Sequence, residues 1–147
     1  MANFITMYKS KSDASTDTNA LAIPDPAYQS AKQTASTLVN SGRSARNGEV
    51  YAQRVSDRDL SKLELTWKYL TANQWSSILG KIQDGYESFY VWIKYFDMQE
   101  NDWVIRKFYP GDRTATPFRI DSTTKKTLSW IDCSVNFIDT GAEEITL

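Results

Sequence analysis

Leu63-Glu64-Leu65-Thr66-Trp67-Lys68-Tyr69, followed almost at once by Thr71-Ala72-Asn73-Gln74-Trp75, decides the fold of this chain. In the first stretch Leu63, Leu65, Trp67 and Tyr69 alternate with Glu64, Thr66 and Lys68, which predicts a strand with one apolar and one wet face. The second begins a helix. Thr71 and Gln74 fit a capping box, in which a hydroxyl accepts from the backbone and the amide three residues on reaches back. Trp75, Ile78, Leu79 and Ile82 then recur at one-sided helical spacing, predicting a helix over about residues 72–84 that Gly85 ends.

Downstream, residues 89–96 are apolar on both faces: Phe89, Val91, Ile93 and Tyr95 on one, Tyr90, Trp92 and Phe96 on the other. Such a strand is central, or covered on its second face by the helix or by a neighbouring chain. Residues 97–102 form a polar turn, from which 103–109 return as a hairpin. Pro110-Gly111-Asp112-Arg113 reads as a second turn, residues 118–121 as a short strand, and Ile131, Cys133, Val135 and Phe137 as the apolar side of a last strand. The tail from 141 to 147 reads as loose.

Upstream the pattern is weaker. Residues 4–8 suit one short strand. Residues 9–47 are mostly Ser, Thr, Ala, Asn, Asp and Lys around Ile23-Pro24-Asp25-Pro26, the composition of an extended connector. A thin apolar side formed by Ala31, Ala35, Leu38 and Val39 suggests a weak helix within 27–40. The chain therefore divides near Val50, into an N-terminal strand and extended arm (1–50) and a β domain (51–147). A structureless stretch of that length is normally a functional arm or disorder.

The 147 residues suit a single domain with a core large enough to need no staples. Five Trp, eight Tyr and six Phe favour pleated, half-buried surfaces and protein interfaces. Seventeen basic against eighteen acidic residues leave a net charge of −1, without the basic footprint of most nucleic-acid binders. Catalytic chemistry is not expected. There is no histidine, and the single cysteine, Cys133, lies in an apolar strand pattern and reads as a small buried hydrophobe. Asp97, Glu100, Asn101 and Asp102 depart from calcium-loop spacing, and the acids Glu64, Asp97, Asp112 and Asp132 fall in turns or on wet strand faces. No glycine-rich phosphate loop is present, and no metal or cofactor is expected. The first residues show no charged leader before a long apolar core, and no apolar run approaches the length of a membrane span.

Arg43, Arg46, Arg54 and Arg58 give the end of the arm a local positive bias, partly offset by Glu49 and Asp57. Guanidinium forks suit carboxylates as well as phosphates, and the acidic balance of the chain favours protein contact.

The order of these pieces resembles a family of small tail and baseplate proteins from phages of Gram-positive bacteria. The resemblance rests on Lys62-Leu63-Glu64-Leu65-Thr66-Trp67 after a basic residue, on the strand 89–97 ending Tyr95-Phe96-Asp97, and on Phe108-Tyr109-Pro110-Gly111-Asp112-Arg113. Trp130-Ile131-Asp132-Cys133-Ser134-Val135-Asn136-Phe137-Ile138 matches the family's closing strand. It covers roughly residues 41–139; the arm is longer than is usual there. It implies a mainly β (α+β) fold similar to tail-tube and distal-tail proteins, a β-sandwich or small barrel with one flanking helix. It further implies a virion component, made in the host cytoplasm, that assembles as a symmetric and hexameric ring in the tail tip or baseplate. Its partners would be copies of itself and neighbouring tail proteins, with DNA passing the lumen unread. Arg43, Arg46, Arg58, Trp92 and Arg113 are the candidate subunit-interface residues. Two alternatives stand beside this: a host-glycan-binding adaptor using Trp92, Trp103 and Trp130, and a tail assembly factor absent from the mature particle.

Overall fold

The computed structural model describes residues 3–27, 30–43, 46–54, 58–83 and 89–145. In chain order the elements are β1 (Thr6–Tyr8), α1 (Lys11–Thr16), β2 (Leu21–Ala22), β3 (Lys32–Ser36), β4 (Val39–Arg43), β5 (Val50–Arg54), β6 (Leu60–Thr71), α2 (Ala72–Gln83), β7 (Val91–Asp97), β8 (Asp102–Ile120) and β9 (Thr127–Ile145). Seven strands form one antiparallel sheet in the order β2-β1-β7-β8-β9-β6-β3, and β4–β5 is a separate hairpin. The fold is β-rich α+β, as the sequence predicts.

The large sheet curls on itself. The side chain of Gln33 in β3 donates to the carbonyl of Phe96 (2.7 Å) and accepts from the Met98 N–H (3.1 Å), so one edge strand reaches the end of β7 from across the sheet. Inside this partly open barrel lie Leu63, Leu65 and Trp67 of β6, Val91, Ile93 and Tyr95 of β7, Phe108 of β8, and Cys133, Val135 and Phe137 of β9. Helix α2 lays Trp75, Ile78 and Ile82 on the same core, and Trp67 meets Trp75 edge-on with ring centroids 6.2 Å apart. The capping box forms: the Thr71 N–H donates to Gln74 Oε1 (3.0 Å) and the Gln74 N–H to Thr71 Oγ1 (3.3 Å). The expected stop at Gly85 lies outside the described residues.

Alternation along β6 holds to Trp67 and then resets. Tyr69 turns outward against Phe118, and Leu70 points into the core instead. The ladder to β9 omits the Lys68/Asp132 pair, and Asp132 has a left-handed backbone (φ 53°), which breaks the two-residue period at that point.

The expected arm is folded structure in its described parts. β1 lies between β2 and β7, β3 pairs with β6, and the weak helix expected within 27–40 is replaced by β3 and the start of β4. Small polar residues suffice there because β3 is an edge strand and buries little. Side-chain and backbone ties fix the segment. Trp67 Nε1 donates to Pro24 O (2.8 Å), the Ala27 N–H to Thr66 O (2.8 Å), and Lys9 Nζ to the carbonyls of Ile82 (3.1 Å) and Tyr90 (3.0 Å). The second helix lies instead at Lys11–Thr16, inside the stretch expected to be extended connector. Ser10 caps α1 by accepting from the Asp13 N–H, and Ala14 covers a small outer cluster of Tyr8, Trp92 and Ile105.

Two further expectations give way. Residues 110–113 are not a turn: pairing passes from Pro110↔Phe137 to Arg113↔Val135 with one extra residue in β8, a bulge where proline lacks an N–H. The strand predicted at 118–121 is the end of this one long strand. The true reversal lies at 121–126, where Asp121 Oδ1 accepts from the N–H groups of Thr123 and Thr124, both at 2.8 Å. The tail is not loose either, since β9 runs on to Ile145, opposite Ile105.

Candidate assembly surfaces and a buried arginine network

Val104, Arg106 and Phe108 share the inward face of β8, so Arg106 carries a charge into the barrel and is 3% exposed. Its Nη1 donates to Tyr95 Oη (2.9 Å), Ser61 Oγ (3.0 Å) and Asp97 Oδ1 (3.1 Å), and its Nε to Glu144 Oε2 (2.7 Å). Asp97 also accepts from the backbone N–H groups of Gln99 (3.1 Å) and Glu100 (2.8 Å), a turn built on its own carboxylate. Next to this group Arg58 forks onto the buried carboxylate of Asp139, with Nη2 2.9 Å from Oδ1 and Nη1 bonded to Oδ2. Asp139 takes two more bonds, from the N–H of Ser61 (3.2 Å) and of Gly141 (2.9 Å). Glu144 joins the halves, its Oε2 lying 3.8 Å from Arg58 Nε.

The electrostatics follow from this geometry. Burial opposes the charge of Arg106, but the hydrogen bond to Glu144 and the neighbouring carboxylates more than offset it, and its pKa stands above the ordinary value. For Asp97 burial alone would raise the pKa. The backbone bond from Glu100, the Arg106 charge and the bonds from Tyr95 and Ser61 prevail and hold it below the usual carboxylate range. Burial pushes Tyr95 up to about 12, so it stays a donor and acceptor of fixed protonation. Each carboxylate here is occupied by donors, and the arrangement is a lock between the start of β6 and the ends of β7 and β9. Among the described residues no group of His, Cys, Asp and Glu is placed to hold a metal ion.

Sequence reading found Arg58 but not Arg106, Asp97, Asp139 or Glu144 as a unit. The signal was available for Arg106: a charged residue at an inward position of an apolar strand is the informative exception. It also gives the Tyr95-Phe96-Asp97 run a physical purpose, since Tyr95 and Asp97 both bind Arg106.

The candidate interface residues separate. Trp92 is 5% exposed and sits in the cluster under α1, so its outer face is covered from within the chain. Arg58 is committed to Asp139. Arg43 and Arg46 are exposed around the tip of β4–β5, and Arg113 is exposed on β8, donating to the Gly111 carbonyl (3.0 Å). Around them lie apolar groups left open: Leu38, Val39 and Val50 on the first hairpin, and Phe118, Ile120 and Leu128 toward the turn of the second, with Tyr69 beside them. Register sets these patches at opposite ends of β6. The β4–β5 hairpin continues beyond the Ser36↔Leu60 pair, whereas the β8–β9 turn projects beyond Thr71↔Ser129. At roughly 3.3 Å per residue, β6 separates them by about 36 Å.

No family model and no curated protein matches the sequence. Among solved structures, a chain of the tail of an empty GTA particle, computed by helical refinement with C6 symmetry, has the same fold. The two are 8% identical with a TM-score of 0.53, and the match covers 98% of this chain and 96% of that one. At that identity the likeness is one of fold.

Proposed function

We propose that the protein is a structural component of a phage tail, assembling as a closed ring of six copies around the tail axis in the tail tip or baseplate. The observation that carries this reading is the end-to-end correspondence with a chain of a C6-symmetric tail, which leaves almost no part of either chain over. Two features of the molecule fit it. The apolar patches at opposite ends of β6 are different surfaces, as a heterologous contact requires, and such a contact closes into a ring when its rotation divides the circle. The arginine network ties the start of β6, from which the first hairpin leaves, to the ends of β7 and β9.

The role needs no catalytic step, cofactor or membrane anchor, and no helix among the described residues is long and apolar enough to cross a membrane. Ring neighbours and the tail proteins above and below are its partners, and DNA passes through the lumen without sequence recognition. Arg43, Arg46 and Arg113 remain the exposed cations for contacts between subunits. Cryo-electron microscopy of intact particles tests the proposal. The expected result is six copies of this chain in a closed ring on the tail axis. Absence from the mature particle, or an off-axis monomer, would replace the reading with an assembly factor or a peripheral adaptor.

A further inference from the structure

A hollow of about 450 Å³ opens on the outer face of the sheet, where β2, β1 and β7 lie side by side. Register explains it. Ala22, Thr6 and Lys94 are direct cross-strand neighbours, and Tyr8 and Trp92 form the next row along β1 and β7. Small side chains at Ala22, Thr6 and nearby Ala20 thus sit between the tall Tyr8 on one side and Trp103 on the other. The volume lies in the range of small-molecule sites.

The walls carry a specific set of groups. Tyr8 Oη donates to Asp17 Oδ1 at 2.5 Å, and burial, followed by that bond and the carboxylate's charge, pushes the phenol up to about 12. The pair therefore presents a fixed acceptor edge. Opposite it, Lys94 has no ion-pair partner among the described residues; its ammonium rests 5.8 Å from the centroid of the Trp103 ring. Such a contact is weak at an exposed site, so a bound anion displaces it readily. Trp103 is itself held edge-on by Phe96, with centroids 5.6 Å apart.

We propose that this hollow binds an acidic saccharide unit: a pyranose ring against Trp103, its carboxylate on Lys94, and its hydroxyls bonded to Asp17 and Asn3. An indole face takes the C–H side of a sugar ring, and separate anion and hydroxyl partners on opposite walls orient it. The proposal does not depend on the ring assembly, because all these residues belong to one chain.

Titration of the full-length protein with digalacturonate, followed at the Trp103 indole N–H resonance, tests it; the Trp103→Phe variant assigns that signal. A saturable shift is expected, with neutral galactobiose at least tenfold weaker. Lys94→Gln should abolish the preference for the acid while the circular dichroism spectrum stays unchanged. Ala22→Phe, which fills the hollow, should remove binding of both sugars and serves alone if the lysine variant does not fold. No saturable shift with digalacturonate, equal affinity for the neutral sugar, or binding retained in Ala22→Phe would overturn the assignment.

Discussion

The two halves of the β8–β9 hairpin share one antiparallel ladder and differ in what covers them. In the near half, Val104, Arg106 and Phe108 face the barrel interior, and Arg106 is tied to β6, β7 and β9 through side chains. In the far half, beyond the bulge at 110–113, Phe118 and Ile120 of β8 are more than half exposed. The near half buries side chains from both strands; in the far half β9 still sends Val135 and Cys133 into the core, while Phe118, Ile120 and Leu128 toward the turn are left uncovered within the chain. Single exposed apolar residues need no explanation, but three on one hairpin with a tyrosine beside them form a patch suited to a partner.

The largest break in this contrast comes from Arg106→Leu. It strips the buried Asp97 carboxylate, and Glu144 beside it, of their shared partner, and the expected loss is roughly 3–5 kcal/mol in urea denaturation. A loss under about 1 kcal/mol would show that the near half is held by packing alone. Acid provides a milder probe of the same lock. Because the folded pKa of Asp97 is depressed, its stabilisation is fully present above the ordinary carboxylate pKa of about 3.9 and is lost as pH falls through the lower folded value. Stability measured from about pH 6 downward should stay level to about pH 5 and then decline, with a shallower decline in Asp97→Asn. An identical pH profile for the variant would remove Asp97 from the lock. The smallest effect on the isolated domain belongs to Phe118→Ser, within about 0.5 kcal/mol of the parent. Its consequence should appear in assembly instead, as a reduced yield of complete tails counted by electron microscopy. A normal yield would show that the far half is not an interface.

Much of the fold could be read in the residues because burial and period coincide. β6 as far as Trp67, α2 and the inward faces of β7 and β9 each bury one regular stripe, and their side chains state the period directly. The reading failed where other forces decide. Pro110-Gly111 carries turn chemistry, yet cross-strand pairing on both sides of it keeps the strand going, and the proline is absorbed as a bulge. The reversal at 121–126 was announced by Asp121-Ser122-Thr123-Thr124, whose carboxylate bonds its own backbone ahead. Residues 9–47 looked like a connector because an edge strand and a six-residue helix need only a few apolar anchors, Ala14 and Ile23 among them. The arginine network was hidden for a further reason: its members are scattered from Arg58 to Glu144, and the pairing of β7, β8, β9 and β6 as successive neighbours in one sheet brings them together.

Cys133 lies wholly inside the barrel, between β8 and β6, and burial with the nearby Asp132 charge keeps its thiol in the unreactive protonated form. As the chain's single sulfhydryl it is also a clock. A thiol reagent reaches it only when β9 parts from its neighbours, so the rate of labelling counts barrel openings one molecule at a time. Incorporation into a ring that clamps both hairpins should slow that clock, and the ratio of free to assembled rates would measure how much of the barrel's permanence comes from its neighbours.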